Sequence, residues 1–398
     1  MVAGGAQAGA AGARAAGAGA ASALDAGAAG AEAAGEQAVD LDPLLEAIEH
    51  CYEQGWTDGL PVVPPTPALV ERFLASTARD PGEVLARLGQ FRRAATVRQV
   101  AVCAAMAGCR AEYLPVAIAA FEAAIDEGWP AAGAWQSTTG GGPLLVVNGP
   151  VRHELGFNSR GNVFGPGFRA NATIGRMLRL VILDVFGVRP HELDQSTQGS
   201  PGKYSHCIAE NEEESPFEPL HVELGYKAGQ SAVAAVHVRG IEFVDNRHTS
   251  DPRHILNDIA DTITRTGSIL RLVKRCVVIL GPEHARLVAE GGLSKQDVKE
   301  YLAEHALRRR SDLRRAGKDA VNEVPPEADV STTSMHGMAA PSGLAEDDPI
   351  GGDDLVKVLA SPADVLVVVA GAPNAGVSAV AQPLGFPPHF PGRALVRA

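Results

Sequence analysis

Residues 194–215, DQSTQGSPGKYSHCIAENEEES, gather Lys, His, Cys, hydroxyl and acidic side chains in one short stretch. They offer Asp194, Ser196, Thr197, Lys203, His206, Cys207, Glu210, Glu212 and Glu213. Lys203, His206 and Glu210 are proton carriers of three different strengths. A cysteine beside a lysine and a histidine could be held partly as thiolate, which would make Cys207 nucleophilic. Two arguments oppose this. Neighbours on an extended chain point to opposite faces, so His206 need not touch Cys207. The acidic run that follows would raise a thiol pKa. An inert, buried Cys207 is therefore favoured. The set His206, Cys207, Glu210, Glu213 and His221 matches no zinc spacing, so no metal is expected.

Another stretch, FGPGFRANATIGR, reads as an anion-binding helix start. Gly165 and Gly167 permit tight turns. The helix that follows would leave N–H groups unpaired at its positive end. Arg169 and Arg176 add forked donors suited to carboxylate or phosphate. Asn158, Asn162, Asn171 and Thr173 complete a candidate substrate-binding set. The spacing fits neither a Walker A loop nor GxGxxG. A plain helix cap with solvated arginines weighs evenly against a site.

A third candidate is His284, which with Glu283 follows the apolar run CVVIL. A histidine after such a strand, in the first turn of a helix, could act as general acid or base. A structural hydrogen bond is the slightly favoured alternative. GAPNAG, residues 371–376, takes the same position after its own strand. Cys103 and Cys109 form no CxxC pair. Cys109 is expected to be the more exposed, and could meet Cys207 only if the fold brings them together.

The elements that must position these groups follow from periodicity. Helices are expected from Asp42-Pro43, Thr66-Pro67 and Asp80-Pro81, from Thr96 with Gln99, and over 114–127, so residues 41–140 read as helical. GPLLVVNGP, SAVAAVHVRG, CVVILGP and ADVLVVV read as strands. Helices are expected from Arg169 to Val185, from Asp251-Pro252, in GPEHARLVAEGG, after Ser294, and in DDLVKVLAS. Strands and helices alternate after residue 140, so the expected class is α/β, a largely parallel sheet with flanking helices over 141–398. Residues 308–345 read as an exposed loop. Residues 1–38 are Ala/Gly-rich without large apolar side chains and read as a disordered tail.

The chain has 398 residues, 45% of them hydrophobic, and a formal net charge of −12. That charge argues against nucleic acid and polybasic membrane contact. No apolar run reaches the ~18 residues of a membrane helix. Cys51, Cys103, Cys109, Cys207 and Cys276 are odd in number and scattered, which fits a reducing cytoplasm.

The runs MAGCRAEYLPVAIAA, VNGPVRHELGFN, NVFGPGFRANATIGR, STQGSPGKYSHCIAENEEESPFEPLH, ILGPEHARLVAEGGLSKQDVKEYL and VLVVVAGA resemble a bacterial family, the UGSC-like proteins. The likeness spans roughly residues 41–385. That family takes its name from a Gly-Ser-Cys segment preceded by selenocysteine or cysteine, and the resemblance implies a redox role. This chain has no Cys-Gly-Ser-Cys segment, and the turn near its C-terminus reads AGAPNAG. No catalytic residue is carried over.

Together these readings lead to an enzyme acting on a small anionic or carboxylate-bearing substrate, with no cofactor named. The two arginines and the Lys203, His206, Cys207, Glu210 loop would face one hollow. A thiol-dependent oxidoreductase using Cys109 and Cys207 is the second reading. A non-catalytic binding or homo-oligomeric assembly protein is the third.

Overall fold

Short capping sequences fix the first helices. The computed structural model describes residues 42–128, 133–269, 274–316, 318, 355–384 and 387–397. The expected tail 1–38 and most of the expected loop 308–345 lie outside the described residues. The chain forms two units, 1–54 and 55–398. The first contributes helix α1 (Asp42–Glu53).

In the second unit, Thr66 accepts the Leu69 N–H and starts α2 (Pro67–Leu74). Thr96 and Gln99 form a reciprocal capping box for α3 (Val97–Met106). Between them the expected third helix is replaced by a hairpin of β1 (Val84–Leu88) and β2 (Arg93–Thr96). The Asp80 carboxylate accepts the Gly82 N–H, closing a turn where a helix start was expected. Ala86 and Leu88 then alternate inward with period 2. The 41–140 segment is therefore not helical throughout. Helix α4 (Leu114–Asp126) is buried along most of its length.

The main sheet runs β4 (Cys207–Ala209), β3 (Gly142–Asn148), β5 (Ala232–Asp245), β10 (Val377–Pro383), β6 (Cys276–Leu280), β9 (Val365–Val369), with β11 (Gly392–Leu395) beside β5. Only β3–β4 and β6–β9 are parallel; the other pairs are antiparallel. The sheet is mixed and curled, which corrects the expectation of a largely parallel one. Strands buried on both faces read as continuous apolar runs whichever way they point, so composition could not supply direction.

One face packs Val278, Leu280 and Val367 on α6 (Pro252–Thr264), α7 (Pro282–Glu290) and α8 (Lys295–His305), through Ile255, Ile259, Ala285, Val298 and Leu302. The other face curls on itself, joining Leu144, Val146, Ile208, Val236, Ile279 and Val368. Helix α5 (Arg169–Leu180) runs on into a π turn, Val181–Val185. In the expected helix DDLVKVLAS, Leu355–Lys357 instead forms strand β8, paired with β7 (Leu307–Arg309); residues 353–354 lie outside the described residues. Arg310–Arg315 is a short helix inside the expected loop. Among the described residues no helix is long and apolar enough to cross a membrane.

Candidate functional site

A cavity of about 760 Å³ opens between loop 57–59, the end of α5 and loop 190–204; Arg179, His191, Asp194, Ser196 and Lys203 line it. Its wall is organised by Asp194, which is 6% exposed. Lys203 Nζ donates to both carboxylate oxygens, at 2.7 and 2.9 Å, and to Ser196 Oγ at 2.5 Å. Ser196 Oγ donates to Asp194 Oδ1 at 2.5 Å, and Arg179 Nη2 donates to Oδ2 at 3.2 Å. Burial works against the Asp194 charge, but the bonds from Lys203 and Ser196 outweigh it and hold the pKa at about 2. Burial pulls the Lys203 ammonium down from its usual range, against the opposing pull of Asp194.

The sequence makes this geometry local. Gly199 takes φ +74°, and a Cβ on Gly140 would lie 2.7 Å from the Gly199 backbone, so the two loops touch main chain to main chain. The one-turn helix Pro201–Lys203 then aims Lys203 back at Asp194. Arg179 lies on α5 just before the π turn. One turn earlier, Arg176 grips Asp58 through two bonds of 2.8 and 2.7 Å, and the carbonyls of Leu60 and Pro61. Arg176 thus positions the 57–61 loop and is not free to hold an anion.

A smaller recess adjoins the cavity, sharing Arg179 and Lys203 and adding Gly141, Gly142, Gly202 and His237. His237 is buried with no partner at Nε2, and burial pushes its pKa down to about 4.

The remaining expected site residues have other tasks. Arg169 Nε donates to Gly108 O at 2.9 Å, closing the carbonyl end of α3. Asn171 is a clasp: its amide donates to Asn158 O and Cys207 O and its oxygen accepts the Asn158 N–H. Asn158 folds its own loop by bonding Gly161 O. Thr173 donates to the Arg169 carbonyl one turn back. Asn162, at φ +61°, bonds Pro166 O, Gly167 takes φ +124°, and Gly165 leaves no room for a Cβ against the Asn162 side chain. Asn162 and Gly165 line a different cavity, of about 430 Å³, with Gly371 and Asn374 of the GAPNAG turn.

His206 has an unpartnered Nδ1, lies 5.8 Å from the Phe164 ring, and is pushed by burial to about 4. His284 is fully buried and satisfied by Ser378 Oγ at 2.8 Å and Asn246 O at 2.9 Å. It is a structural histidine. Cys109 and Cys207 are free and buried. Burial pushes Cys109 up to about 12 and Cys207 higher. Neither is a thiolate at neutral pH; Cys109, at 5% exposed against 2% for Cys103, is the more exposed of that pair, as expected, but both are buried.

Glu210, fully buried, belongs to a separate cluster at the ends of β3 and β4. It accepts from Asn148 Nδ2 at 2.6 Å and the Leu220 N–H at 2.7 Å. Arg152, 4% exposed, ties Glu210 O, Glu212 and Glu213 together. Burial raises the Glu210 pKa.

The expected residues therefore do not share one hollow. Of them, Lys203 lines the larger cavity. Sequence reasoning saw Asp194 and Ser196 as loop members but missed Arg179, whose only signal was its place one helical turn after Arg176. It also missed Arg152, which carried no signal beyond its place after β3. Among the described residues no group of three or more His, Cys, Asp or Glu side chains is placed to hold a metal ion. No protein-family model, curated protein or solved structure matches the chain.

Proposed function

We propose that the chain is an enzyme acting on a small carboxylate-bearing or otherwise anionic substrate held in the 760 Å³ cavity. One observation carries this reading: Lys203 and Arg179 share the single carboxylate of Asp194. Asp58, also on the wall, is already matched by Arg176. The wall therefore keeps a surplus positive charge, largely dehydrated, where an anion binds more strongly than in water. Ser196, between Lys203 and Asp194, can pass a proton or steady a developing oxyanion beside the ammonium. Asp194 orients both groups.

Lys203→Met should weaken binding of small carboxylates by about tenfold or more, read by calorimetry against a panel of mono- and dicarboxylic acids. Arg169→Ala should leave that binding unchanged. The reverse pattern would return the site to the start of α5 and overturn the reading.

The thiol reading would need Cys109 and Cys207 to act as nucleophiles. Their burial and raised pKa values make both poor nucleophiles, so the cavity is preferred. Five free, buried cysteines support a reducing compartment.

A further inference from the structure

Away from the cavity, three cationic side chains from three segments meet on one short turn, Thr266–Ser268. Arg239, on β5, donates to Ser268 O. Lys274, just before β6, donates to Ser268 Oγ at 2.9 Å and to Gln382 Oε1 at 2.8 Å. Lys318 donates to Thr266 O at 2.6 Å. Every acceptor is a neutral oxygen. Among the described residues none of the three cations is ion-paired. Lys274 is only 8% exposed.

Three cations on one turn with no counter-charge among the described residues is an unusual arrangement. Buried charges are normally paired, because water's stabilisation has been removed. Here the like charges oppose one another as well. Burial, then Arg239 and Lys318, push the Lys274 ammonium down to about 7, and Arg239 presses on Lys318 in the same way. Donors remain in hand: each of the three heads has further N–H groups beyond those spent on the turn. The Thr266 hydroxyl, on the same turn, is buried with no hydrogen-bond partner among the described residues. One buried and two half-buried cations, spare donors and an orphaned hydroxyl round one turn are the components of an oxyanion pocket.

We propose that the Thr266–Ser268 turn, with Arg239, Lys274 and Lys318, binds a phosphate-sized oxyanion, either the free ion or the phosphoryl group of a small ligand. The anion neutralises the three cations and accepts from the Thr266 hydroxyl. The site is separate from the Lys203 cavity and does not depend on the function proposed there.

The test is calorimetric titration of the full chain with inorganic phosphate and, in a second arm, with phenyl phosphate, at low ionic strength. Wild type should bind phosphate saturably. Lys274→Gln and Arg239→Gln should each weaken it by about tenfold or more, while Arg169→Ala leaves it unchanged. Should Lys274→Gln fail to fold by circular dichroism, Arg239→Gln and Lys318→Gln decide. Competition by phenyl phosphate assigns the site to a phosphoryl-bearing ligand; binding of inorganic phosphate alone assigns it to the free ion. No saturable binding by wild type overturns the proposal. So does binding that is lost in Lys203→Met but kept in the Arg239 and Lys318 variants.

Discussion

The same loop, residues 194–215, feeds two charged clusters with opposite characters. At its start, Asp194 and Lys203 stand on the wall of an open cavity. At its end, Glu210, Glu212 and Glu213 close on Arg152, Asn148 and the Leu220 backbone. By residue type alone, the glutamate cluster is the richer in chemistry. In the fold its donors and acceptors are mostly spent on one another, and it joins β3 and β4 to the segment that follows. The two clusters differ in access and in unmatched charge, not in the number of ionisable groups.

The largest expected effect lies in the closed cluster. Arg152→Ala strands the carboxylates it joins and should cost ~3 kcal/mol of stability in urea denaturation. An unchanged midpoint would mean the cluster holds nothing together.

Next is the acid limb of Asp194. Its pKa is depressed in the fold to about 2. Such a group stabilises fully above its unfolded value, roughly 3.9, and that contribution is lost as pH falls through the folded value. The stability gap between wild type and Asp194→Asn should shrink by roughly 2 kcal/mol as pH falls from about 4 towards about 2. A constant gap would show that Asp194 is not ion-paired as described.

Glu210 should behave oppositely. Its pKa is raised by burial. Its contribution is full below the ordinary glutamate value and declines as pH rises above it, because the native state binds the extra proton. Glu210→Gln, which mimics the protonated acid, should cost less than ~1 kcal/mol near neutral pH, and a large loss would mean Glu210 is ionised.

The smallest effect is expected at Arg169, where Ala should remove one carbonyl cap at a cost below ~1 kcal/mol, measured by thermal unfolding.

Much of the secondary structure was legible. Thr96 with Gln99 and Ser294 with Asp297 marked real helix starts, and CVVIL and VLVVV are real strands. Strand direction was not legible, and neither was the hairpin at 84–96, where an Asp-Pro pair serves a turn as readily as a helix. The short strand β4 was hidden inside a polar loop. The site was half legible. Lys203 carried its own signal. Arg169 and Arg176 advertised donors, but their acceptors, Gly108 O and Asp58, lie far away in sequence, and no local pattern shows that a guanidinium is already engaged.

Strand β5 is common to both halves of the sheet: residues 232–238 bond β3, and residues 238–245 bond β10. The cavity side, carried through β3, and the helix-covered side, carried through β10, are thus riveted to a single 14-residue bar. Hinge-like opening would have to snap that bar near Val238. With the sheet so tied, any change in the cavity's shape falls to the loops that line it, 57–59 and 190–204.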